Sequence, residues 1–133
     1  MDTFKKKLFL GIFFVVTILF CYFRLNPIIH WTIPYTFDQG RDFLKVAEIV
    51  KYHNITFIGP TTGIQGLFHG AWWYYFLTIP YFVSQANPIG FLVFIFILSL
   101  LQYLLFSSFL KNEFGSEATI VFASVVATSP NFI

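Results

Sequence analysis

The chain has 133 residues and a net charge of +2; 57% of its residues are hydrophobic, 23% aromatic and only 11% charged. A soluble domain ordinarily carries about 25% charged and about 45–50% apolar residues, so this composition excludes that class and indicates an all-α integral membrane protein or a piece of one. The small net charge excludes nucleic acid as a partner, and the single cysteine, Cys21, excludes an internal disulfide.

The charges fall in blocks. Lys5, Lys6 and Lys7 crowd the start, seven charged residues lie between Arg24 and Lys51, and none occurs from Tyr52 through Leu110. The first apolar block, residues 8–23, is expected to be a transmembrane helix, its ends lengthened by snorkelling of Lys7 and Arg24. No small-residue cleavage site follows it, which favours an uncleaved anchor over a signal peptide. The lysines place its N-terminus on the cytoplasmic side.

Residues 24–70 are then expected to form one long external loop. Pro27 and Pro34 predict an extended or turned entry, "RLNPIIHWTIPY". Thr36 followed three residues later by Gln39 has the spacing of a capping box, so a helix is expected from Thr36 to about His53, closed by Asn54. It is amphipathic. Asp38, Arg41, Lys45, Glu48 and Tyr52 share one face, and Phe43, Val46, Ala47 and Val50 another. Such a helix suits a membrane surface. Residues 54–70, with four glycines and Pro60, are expected to be irregular loop. Asn54-Ile55-Thr56 has the form of a glycosylation sequon.

Three further spans follow, at about 71–86, 89–110 and 118–133. Trp72, Trp73, Tyr74 and Tyr75 open the second as an interfacial aromatic belt, and Pro80 is expected to kink it. The third is the clearest span, "KNEFGSE" is expected to be a short external loop, and small residues in the fourth permit close packing. An apolar end at Ile133 suggests a fragment or a gene cut short.

The residues of "TFDQGRD", 36–42, raise the functional question. Their bland explanation is a solvated helix face with a carboxylate in the first turn, where the helix dipole favours it. Asp42 either assists a site there or pairs with Lys45, and the pairing is the favoured expectation. His69 is either an interfacial histidine bonded to backbone or a ligand for an anionic headgroup. No cluster of histidine, cysteine and carboxylate has the spacing of a strong metal site.

The stretch from Phe37 to Phe82, with "FDQGRD" near its start and "FHGAWWYYFL" near its end, resembles the first external loop of the C-superfamily glycosyltransferases. The similarity is to the branch related to protein O-mannosyltransferases and aminoarabinose transferases, and "ATSPNFI" resembles the end of that family's fourth helix. Gln39 stands where many relatives have Glu, and Ala71 where they often have Pro. The resemblance implies the N-terminal part of a GT-C-like fold, in one transmembrane domain. It also implies a membrane hexosyl- or pentosyltransferase that moves a sugar from a polyprenyl-phosphate donor to a glycan, lipid or protein hydroxyl on the non-cytoplasmic face. It leaves the need for a divalent metal open. Asp38 would be the general base, with Gln39, Arg41 and His69 binding substrate. A bacterial or archaeal plasma membrane is the implied location. The competing expectation is a non-catalytic small membrane subunit or scaffold, whose loop would be a docking surface.

Overall fold

The computed structural model describes residues 3–32 and 36–129. The expected turn at Pro34 and the last four residues of the fourth span lie outside the described residues. The elements in chain order are α1 (Thr3–Ile29), α2 (Phe37–Tyr52), β1 (Ile58–Thr61), β2 (Phe68–Gly70), α3 (Trp72–Val83) and α4 (Pro88–Thr128). The chain divides into two compact units. One runs up to Thr32 and resumes at Ile95, and the other covers Ile33–Phe94.

In the first unit, α1 is longer at both ends than expected. It has 27 residues and carries Pro27 inside its last turn. The expected extended segment after Arg24 is therefore helical as far as Ile29. One reason is that a proline near a helix end removes a single hydrogen bond without stopping the turns before it. Another is that Arg24 is buried and donates to the Val126 carbonyl, which ties this turn to α4. The helix closes with Trp31 in the left-handed conformation, φ 55°. The Trp31 and Thr32 amides donate back to the carbonyls of Ile28 and Pro27, the pattern of a Schellman closure.

The expected loop "KNEFGSE" is almost entirely helical. Only Gly115 departs, at φ 85° and ψ 179°, and α4 resumes beyond it. The residues on its two sides come together: the rings of Phe106 and Phe122 are 5.4 Å apart. Sixteen residues of straight helix would separate them by about 24 Å, so Gly115 reverses the chain and makes α4 a helical hairpin. Lys111, Asn112 and Glu113 tolerate helix well, and the reversal needs only one residue that has no Cβ. The core of the unit joins Phe20, Tyr103, Ala123 and Ala127. The small Ala123 and Ala127 let the returning segment approach closely, as its composition leads one to expect.

In the second unit the capping box is present as the sequence predicts. The Thr36 side chain accepts from the Gln39 amide, and the Gln39 side chain accepts from the Thr36 amide. The C-cap is His53 at φ 55°, one residue before the expected Asn54. The apolar face of α2 packs on α3: Val46 is fully buried with Tyr74, Leu77, Tyr81 and Phe91, and Phe43, Ala47 and Val50 flank them. Residues 54–70 are not a plain loop. Strands β1 and β2 pair antiparallel with an irregular register. A Cβ on Gly59 would stand 2.3 Å from the His69 carbonyl oxygen and 2.5 Å from that of Gly70, so only glycine fits this crossing.

Helix α3 has 12 residues, a length of about 18 Å. That is short of the ~30 Å hydrocarbon core, so the expected span over 71–86 is not met by this helix. Pro80 lies within α3 without ending it. Asn87 then caps α4 through Ile89 N–H to its Oδ1, with Pro88 at the first helical position, where its missing N–H costs nothing. Two helices among the described residues, Thr3–Ile29 and Pro88–Thr128, are long and apolar enough to cross a membrane; the second, reversed at Gly115, contains the expected span 89–110 and the described part of the expected span 118–133.

Gly115→Ala should strain the reversal by about 1–3 kcal/mol and lower the thermal unfolding midpoint in detergent. Gly63→Ala, at a position with open space around it, should leave that midpoint unchanged. Equal midpoints for the two variants would refute the account of Gly115.

Candidate functional site

The first turns of α2, the β1–β2 hairpin and the start of α3 enclose a cleft of about 380 Å³. Each wall is fixed by a local rule. The capping box sets where α2 begins and so where Asp38, Arg41 and Asp42 point. The Gly59 crossing brings Thr61 and His69 onto adjacent strands. Trp72 and Trp73 follow β2 directly at the head of α3.

Arg41 holds these parts together. Its Nη1 lies 3.0 Å from Asp38 Oδ1 and donates to Thr61 Oγ1 at 3.0 Å. Its Nε and Nη2 both donate to Asp42 Oδ1, at 3.1 and 3.0 Å. The other oxygen of Asp42 accepts from the Trp73 indole N–H at 3.1 Å. One guanidinium therefore ties α2 to β1, and its neighbouring carboxylate ties α2 to α3. Burial alone would lower the pKa of Arg41. The hydrogen bond to Asp42 and the charges of Asp42 and Asp38 outweigh this and hold it above the ordinary arginine value. The expected pairing of Asp42 with Lys45 is not formed: Lys45 binds Glu48 at 2.9 Å, one turn along the outer face.

The two carboxylates are in different states. Asp42 is largely buried, with 15% of its side chain exposed, and both oxygens are engaged. Asp38 is 74% exposed and is held through Oδ1 by Arg41. Of the residues singled out in the sequence, Asp38, Arg41 and His69 all line the cleft. Gln39 does not, because its side chain is used in the cap. Thr61 and Trp73 are members that the sequence did not reveal, and Asp42, for which assisting the site is the less favoured of two expectations, is a third. Among the described residues no group of three or more histidine, cysteine or carboxylate side chains is placed to hold a metal.

The four aromatics at 72–75 take four separate roles. Trp72 is exposed at the cleft, Trp73 binds Asp42, and Tyr74 is core. The Tyr75 hydroxyl donates to the Thr56 carbonyl at 2.8 Å and accepts from the Thr56 amide at 3.0 Å, pinning the strand entry. Comparison with protein-family models, with curated proteins and with solved structures found no match for this chain.

Trp73→Phe removes the indole donor and keeps the ring, and should cost about 1 kcal/mol. In an Asp42→Ala background the same change should cost clearly less. A double-mutant cycle by chemical unfolding reads this coupling, and strict additivity would show that the bond contributes nothing.

Proposed function

We propose that the chain is the N-terminal part of a membrane glycosyltransferase of the GT-C type, which transfers a sugar from a polyprenyl-phosphate donor to an acceptor hydroxyl on the non-cytoplasmic face. The observation that carries this reading is the Asp38 carboxylate, solvent-facing and oriented by Arg41 at the edge of a polar cleft. Two features support it: the resemblance of "FDQGRD" and "FHGAWWYYFL" to the family's first external loop, and the two helices apolar enough to cross a membrane.

The chemistry requires a base for the acceptor. As the acceptor oxygen bonds to the anomeric carbon, its proton passes to Asp38. The bond from the anomeric carbon to the phosphate oxygen breaks, and the lipid phosphate leaves with the electron pair. Arg41 already serves Asp38, Asp42 and Thr61. Its role in this scheme is therefore to position Asp38 rather than to receive phosphate. The charged cleft residues Asp38, Arg41 and Asp42 sum to −1, which suits a neutral polyhydroxyl acceptor better than an anion. Exposed Trp72 offers such a ligand an apolar face, and His69, also exposed, is a second hydrogen-bonding group.

The intact protein carrying Asp38→Asn should insert normally and lose transfer of labelled sugar from a panel of polyprenyl-phosphate monosaccharides by about a hundredfold or more. Full activity in this variant would remove Asp38 as the base. Photocrosslinking from several positions across residues 36–70 offers an independent check: capture of polyprenyl phosphate supports the transferase, and capture of a protein alone supports the scaffold.

A further inference from the structure

A second arginine lies in the opposite condition to Arg41. Arg24, near the end of α1, is only 4% exposed. Its Nη2 donates to the Val126 carbonyl at 2.9 Å, and its guanidinium carbon stands 4.0 Å from the centroid of the Phe20 ring. Its Nε is buried without a hydrogen-bond partner among the described residues. Nor does any carboxylate among them form an ion pair with it. One carbonyl and one ring face do not neutralise a buried cation, and arginine cannot shed its proton. Charged side chains inside apolar helices are costly, and where they occur they face a partner or a cavity.

Arg24 does line a cavity, of about 250 Å³. Ser99 and Gln102 add polar groups to it, and Phe20, Phe106 and Phe122 form an apolar wall. All of these residues belong to the same compact unit. The helices that build the cavity are the two apolar enough to cross a membrane. Arg24 follows directly on the apolar block 8–23, so it stands at the end of the expected span, the level at which headgroup meets acyl chain. The anion abundant at that level is phosphate, and the fork of a guanidinium matches its oxygens. A free phosphate would have no use for the phenylalanine wall, whereas a lipid brings an acyl chain to cover it.

We infer that the cavity beside Arg24 binds the phosphate headgroup of an anionic membrane lipid, with Arg24 taking the phosphate and the Phe20–Phe106–Phe122 wall taking the start of the acyl chain. This site shares no lining residue with the Asp38 cleft and does not depend on the transferase reading.

The test is native mass spectrometry of the full chain released from detergent, with phosphatidylglycerol, a diacylglycerol of the same chain length, or inorganic phosphate added. One phosphatidylglycerol should stay bound per chain, and diacylglycerol should not. Arg24→Gln should weaken retention by about tenfold or more, and Arg24→Lys should keep part of it. Because Arg24→Gln also removes the bond to Val126, Ser99→Phe is the second variant. It adds bulk to the cavity and leaves the Arg24 side chain itself unchanged, and it should also lose the lipid, with helix content checked for both by circular dichroism. Equal retention of diacylglycerol, or unchanged retention in either variant, would overturn the inference. Displacement of the lipid by an equal concentration of inorganic phosphate would overturn the lipid as the ligand.

Discussion

The contact in which Arg41 Nε and Nη2 both donate to Asp42 Oδ1 is the interaction on which the cleft depends. It joins adjacent residues on one helix, so by itself it fixes nothing. It matters because each partner has a second commitment: Arg41 to Thr61 on β1 and Asp42 to Trp73 on α3. A charge pair exposed on a surface adds little to stability. A pair whose members each hold another element converts helix geometry into cleft geometry, and it also leaves one carboxylate, Asp38, available at the edge. The hairpin completes the enclosure, and the close approach of its two strands rests on Gly59, which no other residue replaces without moving the His69 and Gly70 backbone.

The two arginines show how context decides what a cation does. Arg41 is satisfied by three side chains and is partly exposed, so its charge is used locally. Arg24 is buried with a single carbonyl and a ring for company. In water-facing structure the first state is ordinary. In an apolar helix the second asks for an anion from outside the described residues, because the cost of an unpartnered buried charge exceeds what cation–π contact and one hydrogen bond return.

What the sequence made legible was local. The capping box at Thr36 and Gln39 depends on residues three apart, and it is formed. The apolar face of α2 follows from helical periodicity, and Val46 is indeed fully buried. The apolar stretch 89–110 is helical throughout. What failed was non-local or turned on a single residue. The pairing of β1 with β2 joins segments rich in glycine, where no alternation of polar and apolar residues signals a strand. The continuation of α1 through Pro27 reflects its contact with α4, which composition cannot show. Asp42 was matched to Lys45 on helix spacing, but Arg41 beside it and Trp73 from α3 satisfied it first. Asp38, Arg41 and His69 were found from the sequence. Their neighbours Thr61 and Trp73 were not, because each reaches the cleft from an element whose position depends on the hairpin.

The reversal at Gly115 bears on how apolar chains of this kind are read. Hydropathy alone sees two spans separated by a seven-residue stretch, five of them polar, and assigns those residues to a loop. The backbone instead stays helical to Phe114 and turns at a residue with φ 85°, so the polar side chains lie on helix ends and not on a flexible link. Lys111 is placed 5.0 Å from the centroid of the Phe9 ring, so the turn is anchored to α1 by a cation–π contact as well as by packing. A tight reversal keeps the returning segment in register with the helix before it, and that register brings Phe122 and Val126 to the side of Phe106 and Arg24. The cavity beside Arg24 therefore depends on a conformation that only glycine adopts readily, several turns away from the charge it surrounds.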